Sequence, residues 1–345
     1  MASMKLKTFT KNNRYTVMLL GLMALILVFF TATKGGAFWK LSLWKGMTMQ
    51  FPEYGCMTLG LMFAFISGHM DMSFVALGDF ASILAVNYMS AHVVDGMTNS
   101  QVGSIMFVAI LIALGIAIIG GAINAVLVSR LNIPPVMATI AMQLVWTGFS
   151  TALTKGYAVK GLPALYTEIG HMELFGFLSI PLLIFIVLFI IAAFLLKFTV
   201  FGDKLYMMGT NLKAARFSAI NTHNMLLTSY ILSAVYSCIG CLIMVSTMGS
   251  AKADYGTSYV MRCILILVLA GVLPDGGMGK IMDVLLSIIT IQIIATGVNM
   301  FPQLNTYYAS LIWGGLLIIV LIVSTRMSGG TVRVRKPRKA PQKTA

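Results

Sequence analysis

Apolar runs of about twenty residues, the length that carries an α-helix across a hydrocarbon core roughly 30 Å thick, recur from one end of the chain to the other. "TVMLLGLMALILVFF" near the start and "SIMFVAILIALGIAIIGGAINAVLV" further on are two of them. Composition agrees: 59% of the residues are apolar, 10% are charged and the mean hydropathy is +0.91. Lipid is therefore the main solvent of this chain, and no soluble domain fits between the runs.

Ten spans follow, at about 17–33, 54–67, 74–91, 102–128, 136–154, 178–198, 224–247, 258–273, 281–299 and 306–324. The fold class is an all-α polytopic membrane protein. The first 16 residues form a basic amino terminus, 17–325 the membrane-spanning domain and 326–345 a basic tail. The start has the basic region and apolar core of a secretory signal. It reads as an uncleaved first span, because no small-x-small cleavage site follows and many more spans do.

Charge sets the orientation. With the amino terminus inside, 17 of the 24 Lys and Arg residues fall in cytoplasmic segments, six fall outside and Arg262 lies near the start of a span. That asymmetry predicts both termini to be cytoplasmic. It also accounts for the net charge of +14 without nucleic acid. Under this count the second to fifth and the seventh to tenth spans run in opposite senses, as an inverted repeat requires. A Pro-containing turn, "RLNIPPV" and "NMFPQLN", stands between the third and fourth spans of each set. Plain helix termination by proline explains these turns as well.

The longest cytoplasmic segment runs from residue 197 to 224. Within it "TNLKAARFSAI" predicts a short helix, with Thr210 or Asn211 as cap and with Leu212, Ala215 and Phe217 offering apolar surface. Such a helix either docks onto a partner or covers the membrane interface.

The chain has no GxxxxGK[ST] phosphate loop. "AGVLPDGGMGKIM" comes nearest, but Pro274 stands where the first glycine belongs and Ile281 follows Lys280. Gly276, Gly277 and Gly279 read better as a tight turn. His92, His171 and His223 lie in loops or at span ends. His69 and Asp71 form an HxD pair with no third metal ligand nearby. Cys238 and Cys241 form a CxxC that reads as small residues at a helix contact; with Cys56 and Cys263, they imply no disulfide framework.

Polar residues within spans normally face the bundle interior or water. The candidates for a permeation path are Asp71, Asp79, Asn87, Asn124, Gln143, Gln292 and Asn299, with His69 at the break between the second and third spans. Interhelical hydrogen bonding is the alternative role for each. Trp146, Phe149 and Trp313 offer flat faces to a sugar ring, or ordinary packing. Residues 54 to 91 number 38, barely enough for two crossings, so "GHMDMS" must be a tight turn or interrupted helix sheltered by neighbouring spans. Gly68 permits that break, and Asp71 and Ser73 can cap the helix that follows.

Four segments, in order, resemble the permease subunits of ribose- and simple-sugar-type ABC importers, related to branched-chain amino-acid permeases. "SGHMDMSFVAL" matches at Gly68, Asp71 and Ser73, and the stretch from Gly121 to Gly156 matches at Asn124, Pro134, Pro135, Thr139 and Gly148 as well. "FGDKLYMMGTNLKAARFSAIN" is similar to the cytoplasmic coupling segment at Gly202, Gly209, Asn211, Ala214, Ala215, Arg216 and Ile220, and "VLAGVLPDGGMGKI" resembles the late Gly-rich turn. Departures are His69 and Ala219 in place of usual glycines, Lys213 where a carboxylate is usual, and Leu-Pro-Asp before the late glycines.

The resemblance implies a permease, not an enzyme, in the bacterial cytoplasmic membrane. It implies pairing with a second permease, identical or related, with cytoplasmic ATPase subunits and with an extracytoplasmic substrate-binding protein. ATP and Mg would be used by the ATPase, with no cofactor or metal on this chain. Gly209, Asn211, Lys213, Ala214, Ala215 and Arg216 would couple to the ATPase, and simple sugars lead as cargo. An ion- or proton-coupled secondary transporter using Asp71 and a membrane-embedded enzyme using His69 and Asp71 are the rival readings.

Overall fold

The computed structural model describes residues 14–94, 96–174, 176, 178–301 and 308–327. Within them the chain is almost entirely helical: α1 (Arg14–Lys34), α2 (Leu41–Ile66), α3 (Phe74–His92), α4 (Asn99–Ser129), α5 (Pro135–Thr154), α6 (Ala164–His171), α7 (Ile180–Phe198), α8 (Val200–Thr210), α9 (Leu212–Phe217), α10 (Thr222–Met248), α11 (Thr257–Leu269), α12 (Ile281–Asn299) and α13 (Ala309–Met327). Between α6 and α7 a two-residue antiparallel pair, β1 (Glu173–Leu174) and β2 (Leu178–Ser179), closes a hairpin.

Each of the ten predicted spans coincides with a helix, and seven of the helices among the described residues are long and apolar enough to cross a membrane. The largest difference is at α2, which begins at Leu41 rather than near Tyr54 and runs 26 residues. Lys45, Gln50 and Glu53 lower the hydropathy of its first half. They are accommodated all the same: Lys45 Nζ pairs with Glu173 Oε2 at 3.0 Å, and Glu53 and Gln50 turn into the bundle. Residues 1–13 and 328–345 of the predicted basic termini, and the proline turn from Pro302, lie outside the described residues.

Helix α10 is the centre of the bundle, packed on α2, α3 and α4. Small residues set that closeness. A methyl group on Gly60 would stand 2.7 Å from the Ser233 carbonyl, one on Gly121 2.8 Å from that of Tyr230, and one on Gly240 2.6 Å from that of Glu53. On α4 the buried residues Ala109, Ala113, Ala117, Gly121 and Ala125 recur every four positions and form the stripe that meets these neighbours. Without a hydrophobic force between helices in lipid, close backbone approach and interhelical hydrogen bonds supply the cohesion. Cys238 and Cys241 are buried free thiols in this contact, which agrees with their reading as small packing residues.

The outer helices expose apolar side chains in the way a lipid-facing wall requires. Phe107, Leu111 and Ile119 on α4, Leu144 and Phe149 on α5, and Ile190 and Phe194 on α7 are all exposed. Trp146 stacks on Phe80 with ring centres 5.5 Å apart, so its face is taken up in packing between α3 and α5.

Candidate functional site: two polar clusters and a glycine junction

The first cluster forms where α2 stops. Gly68 has φ of +78°, a conformation that an L side chain adopts only with strain, and it turns the chain out of α2. Six residues later α3 begins, and Asp71 organises its start. Asp71 is 1% exposed; its Oδ1 accepts from the Ser73 amide at 3.0 Å and the Ser73 hydroxyl at 2.9 Å, and its Oδ2 accepts from Ser233 Oγ at 3.1 Å. Asn124 Nδ2 in turn donates to Ser73 Oγ at 2.7 Å. The carboxylate thus caps α3 as expected, whereas the Ser73 side chain relays to Asn124 instead of capping. A single chain of hydrogen bonds ties α3 to α4 and α10.

His69 does not join Asp71. Its Nδ1 lies 2.9 Å from the Ser67 carbonyl and its amide donates to the Ala64 carbonyl at 3.1 Å. Among the described residues no hydrogen bond links the two side chains, and no group of three or more His, Cys, Asp or Glu residues could hold a metal. The HxD pair has neither the geometry of an acid and base nor that of a metal site.

Beside this break three distant segments meet through glycine. The Gly277 amide donates to the Ile66 carbonyl at 2.8 Å. A methyl on Gly276 would lie 2.5 Å from Gly68 Cα, and one on Gly209 would overlap both the Ile66 carbonyl and the Gly277 amide. Gly276, Gly277 and Gly279 have φ of +82°, +72° and +123°, as a tight turn demands. The end of α8 is thereby seated directly on the break that leads to Asp71. Helix α9 continues from it: Asn211 Oδ1 accepts from the Lys213 and Ala214 amides at 3.1 Å each, which makes Asn211 the cap. Ala215 is buried, Lys213, Ala214 and Arg216 are exposed, and Phe217 stands 93% exposed.

The second cluster lies around the middle of α2, and sequence reasoning placed only part of it. Gln292 on α12 accepts from Tyr54 OH at 2.5 Å and donates to Gln50 Oε1 at 3.1 Å and Thr296 Oγ1 at 3.0 Å. One helical turn away Glu53, 5% exposed, accepts from Thr247 Oγ1 at 2.7 Å and Tyr259 OH at 2.8 Å. Arg262 lies among the rings of Tyr54, Tyr259 and Trp313. Five helices contribute. Glu53 fell one residue before the expected start of its span; a carboxylate inside a longer apolar helix was the signal for it.

The remaining expected path residues are scattered. Asp79 on α3 accepts from the Gly256 amide, at the start of α11, at 3.2 Å, and its Oδ1 has no partner among the described residues. Asn87 and Gln143 are half-buried on α3 and α5, and Asn299 is exposed at the end of α12. These three join neither cluster.

Residues 45–321 match the family model for the branched-chain amino acid transport system / permease component. The chain is similar to the autoinducer 2 import system permease protein LsrD of Photorhabdus luminescens, 30% identical over 287 residues that cover 81% of this chain and 82% of that protein. It is also similar to the protein of that name from Yersinia enterocolitica, 29% identical over 282 residues covering 80% and 81%. No solved structure matches the chain.

Proposed function

The chain belongs to the branched-chain amino acid transport system / permease component family, and from that premise we propose that it is the membrane-spanning permease subunit of an ATP-driven importer for a small, sugar-like solute. It is a multi-pass membrane protein and a transport component, with ATP hydrolysis on a separate subunit. We place it in the bacterial cytoplasmic membrane. All ten long or apolar helices cross, both termini are cytoplasmic, and α2–α5 and α10–α13 are the two halves of an inverted repeat. The break before α3 and the break before α11 are then equivalent positions, and the Gly256 amide at the second break bonds to Asp79 within α3.

The observation that carries this reading is the glycine junction. It seats the end of α8, and with it the exposed α9, against the break between α2 and α3. A cytoplasmic ATPase that grips Phe217, Lys213 and Arg216 can pull on that break without any intervening flexible segment. Closure of the ATPases around ATP and Mg shifts the equilibrium between outward-open and inward-open states, and a loaded extracytoplasmic binding protein biases the same equilibrium from the other face. A second permease, identical or related, completes the path.

Reconstitution in proteoliposomes with a cognate ATPase and binding protein tests the proposal. Uptake that requires ATP and the binding protein is the expected result. Uptake driven by a proton or sodium gradient without ATP would overturn it.

A further inference from the structure

An arginine inside a helical bundle in lipid is expensive to hold without a partner. The guanidinium carbon of Arg262 lies 4.6 Å from the Trp313 ring centre, 5.1 Å from that of Tyr54 and 5.3 Å from that of Tyr259. Ring faces attract the charge, but they do not serve the N–H donors as a carbonyl or hydroxyl does. Arg262 Nε is buried with no acceptor among the described residues, and so is Trp313 Nε1. Trp313 is 7% exposed. Buried donors nearly always find acceptors. Two neighbouring N–H groups without one call for oxygen atoms from outside the chain.

Glu53 does not supply them. Its two oxygens already accept from Thr247 and Tyr259, and among the described residues it makes no ion pair with Arg262. It is nevertheless close enough to feel the guanidinium charge. That balance of one carboxylate and one guanidinium decides the ligand class. An anion entering the cluster meets Glu53 and a cation meets Arg262, each where charges are poorly screened. A neutral solute carrying several hydroxyl groups satisfies the orphaned N–H donors without adding charge. Gln50 on α2, whose Oε1 already accepts from Gln292 Nε2, keeps its own amide N–H groups for a remaining hydroxyl.

We infer that Arg262 and Trp313 are the donor pair of a binding subsite for a small, neutral, multiply hydroxylated solute on the transport path. The assignment rests on the importer reading given above.

The test is ATP-dependent uptake by proteoliposomes holding the complete importer, with D-ribose, myo-inositol, ribose 5-phosphate and L-leucine as probes. Wild-type protein imports one or both of the neutral polyols. Arg262→Met raises the KM for that probe about 10- to 100-fold, and Trp313→Phe, which keeps an aromatic ring and removes only the N–H, raises it about 3- to 10-fold. Arg262→Lys falls between wild type and Arg262→Met. Copurification with the ATPase in the same proportion as wild type shows that each variant has assembled. Polyol uptake with an unchanged KM in Arg262→Met and Trp313→Phe overturns the inference and leaves the importer reading standing. Import of L-leucine or ribose 5-phosphate in place of the polyols also overturns it. Failure of Trp313→Phe to assemble assigns the indole N–H to folding and overturns it too. ATP-dependent import of none of the four probes overturns the importer reading itself.

Discussion

Gly277 donates its amide hydrogen to the carbonyl of Ile66 at 2.8 Å, which joins the turn before α12 to the last residue of α2. A helix carbonyl at a C-terminus has no partner of its own. Here it finds one from a turn far along the chain, and Gly209, Gly276 and Gly277 are the residues whose missing side chains let the backbones come that close. Helix α8 and the break are therefore joined by direct backbone contact.

Gly209→Ala should consequently damage both assembly and transport, because its methyl would overlap the Ile66 carbonyl and the Gly277 amide, and neither can move as a flexible side chain would. Overpacking of this kind costs about 1 to 3 kcal/mol. Thermal unfolding in detergent should shift down by several degrees. Gly148→Ala is the control: nothing lies within 4 Å of its added methyl and alanine suits a helix interior better than glycine, so its midpoint should not fall below the wild-type value.

Asp71→Ala removes the acceptor of the Ser73 amide and of two hydroxyls, and the Asn124 amide then depends on a serine that has lost its orientation. Each buried donor left without a partner costs about 1 to 3 kcal/mol. Asp71→Asn keeps one carbonyl oxygen for Ser73 and should be the milder change. Uptake assays on the assembled importer should rank wild type above Asp71→Asn above Asp71→Ala; wild-type uptake in the alanine variant would count against the cap as the origin of the break.

Much of this architecture was legible in the sequence, and the part that was not has a physical explanation. Long apolar runs locate helices well because lipid permits little else, and "GHMDMS" announced its break through glycine and aspartate in a place with no room for a loop. The first half of α2 escaped notice because Lys45, Gln50 and Glu53 dilute its hydropathy, and their compensation comes from residues over a hundred positions away. The Arg262 cluster was hidden for the same reason. Its members come from α2, α10, α11, α12 and α13, and periodicity within one helix carries no information about a partner on another. Arg262 itself was the available clue, as a full charge within an expected span.

Ala219 has φ of +57°, in the left-handed region that L residues other than glycine occupy at a cost of about 1 kcal/mol. The family resemblance implies glycine at this position, and a positive φ suits glycine better than alanine. Ala219→Gly should stabilise the protein by about 0.5 kcal/mol, the relieved strain being partly offset by the greater freedom of glycine in the unfolded chain. A higher midpoint in detergent melting, with unchanged ATPase binding, is the expected outcome; a lower one would mean that the alanine side chain makes a contact of its own.

Phe217 makes the sharpest prediction about the proposed ATPase contact. A phenylalanine 93% exposed at the end of α9 contributes almost nothing to the stability of the isolated permease, so Phe217→Ser should leave its melting behaviour intact. In an assembled importer the same ring would be buried in the ATPase, and burying a side chain of that size is worth about 1.5 to 3 kcal/mol. Copurification with the ATPase should therefore weaken about 10- to 100-fold in apparent affinity. Asn211→Ala tests the same surface differently, since it removes the acceptor of two α9 amides without touching an exposed apolar group. If α9 docks as a preformed helix, losing this cap weakens ATPase binding in proportion to lost helix stability, about threefold to tenfold. If Phe217→Ser binds the ATPase as wild type does while Asn211→Ala does not, the ring lies outside the interface and the helix backbone, with Lys213 and Arg216, forms the contact.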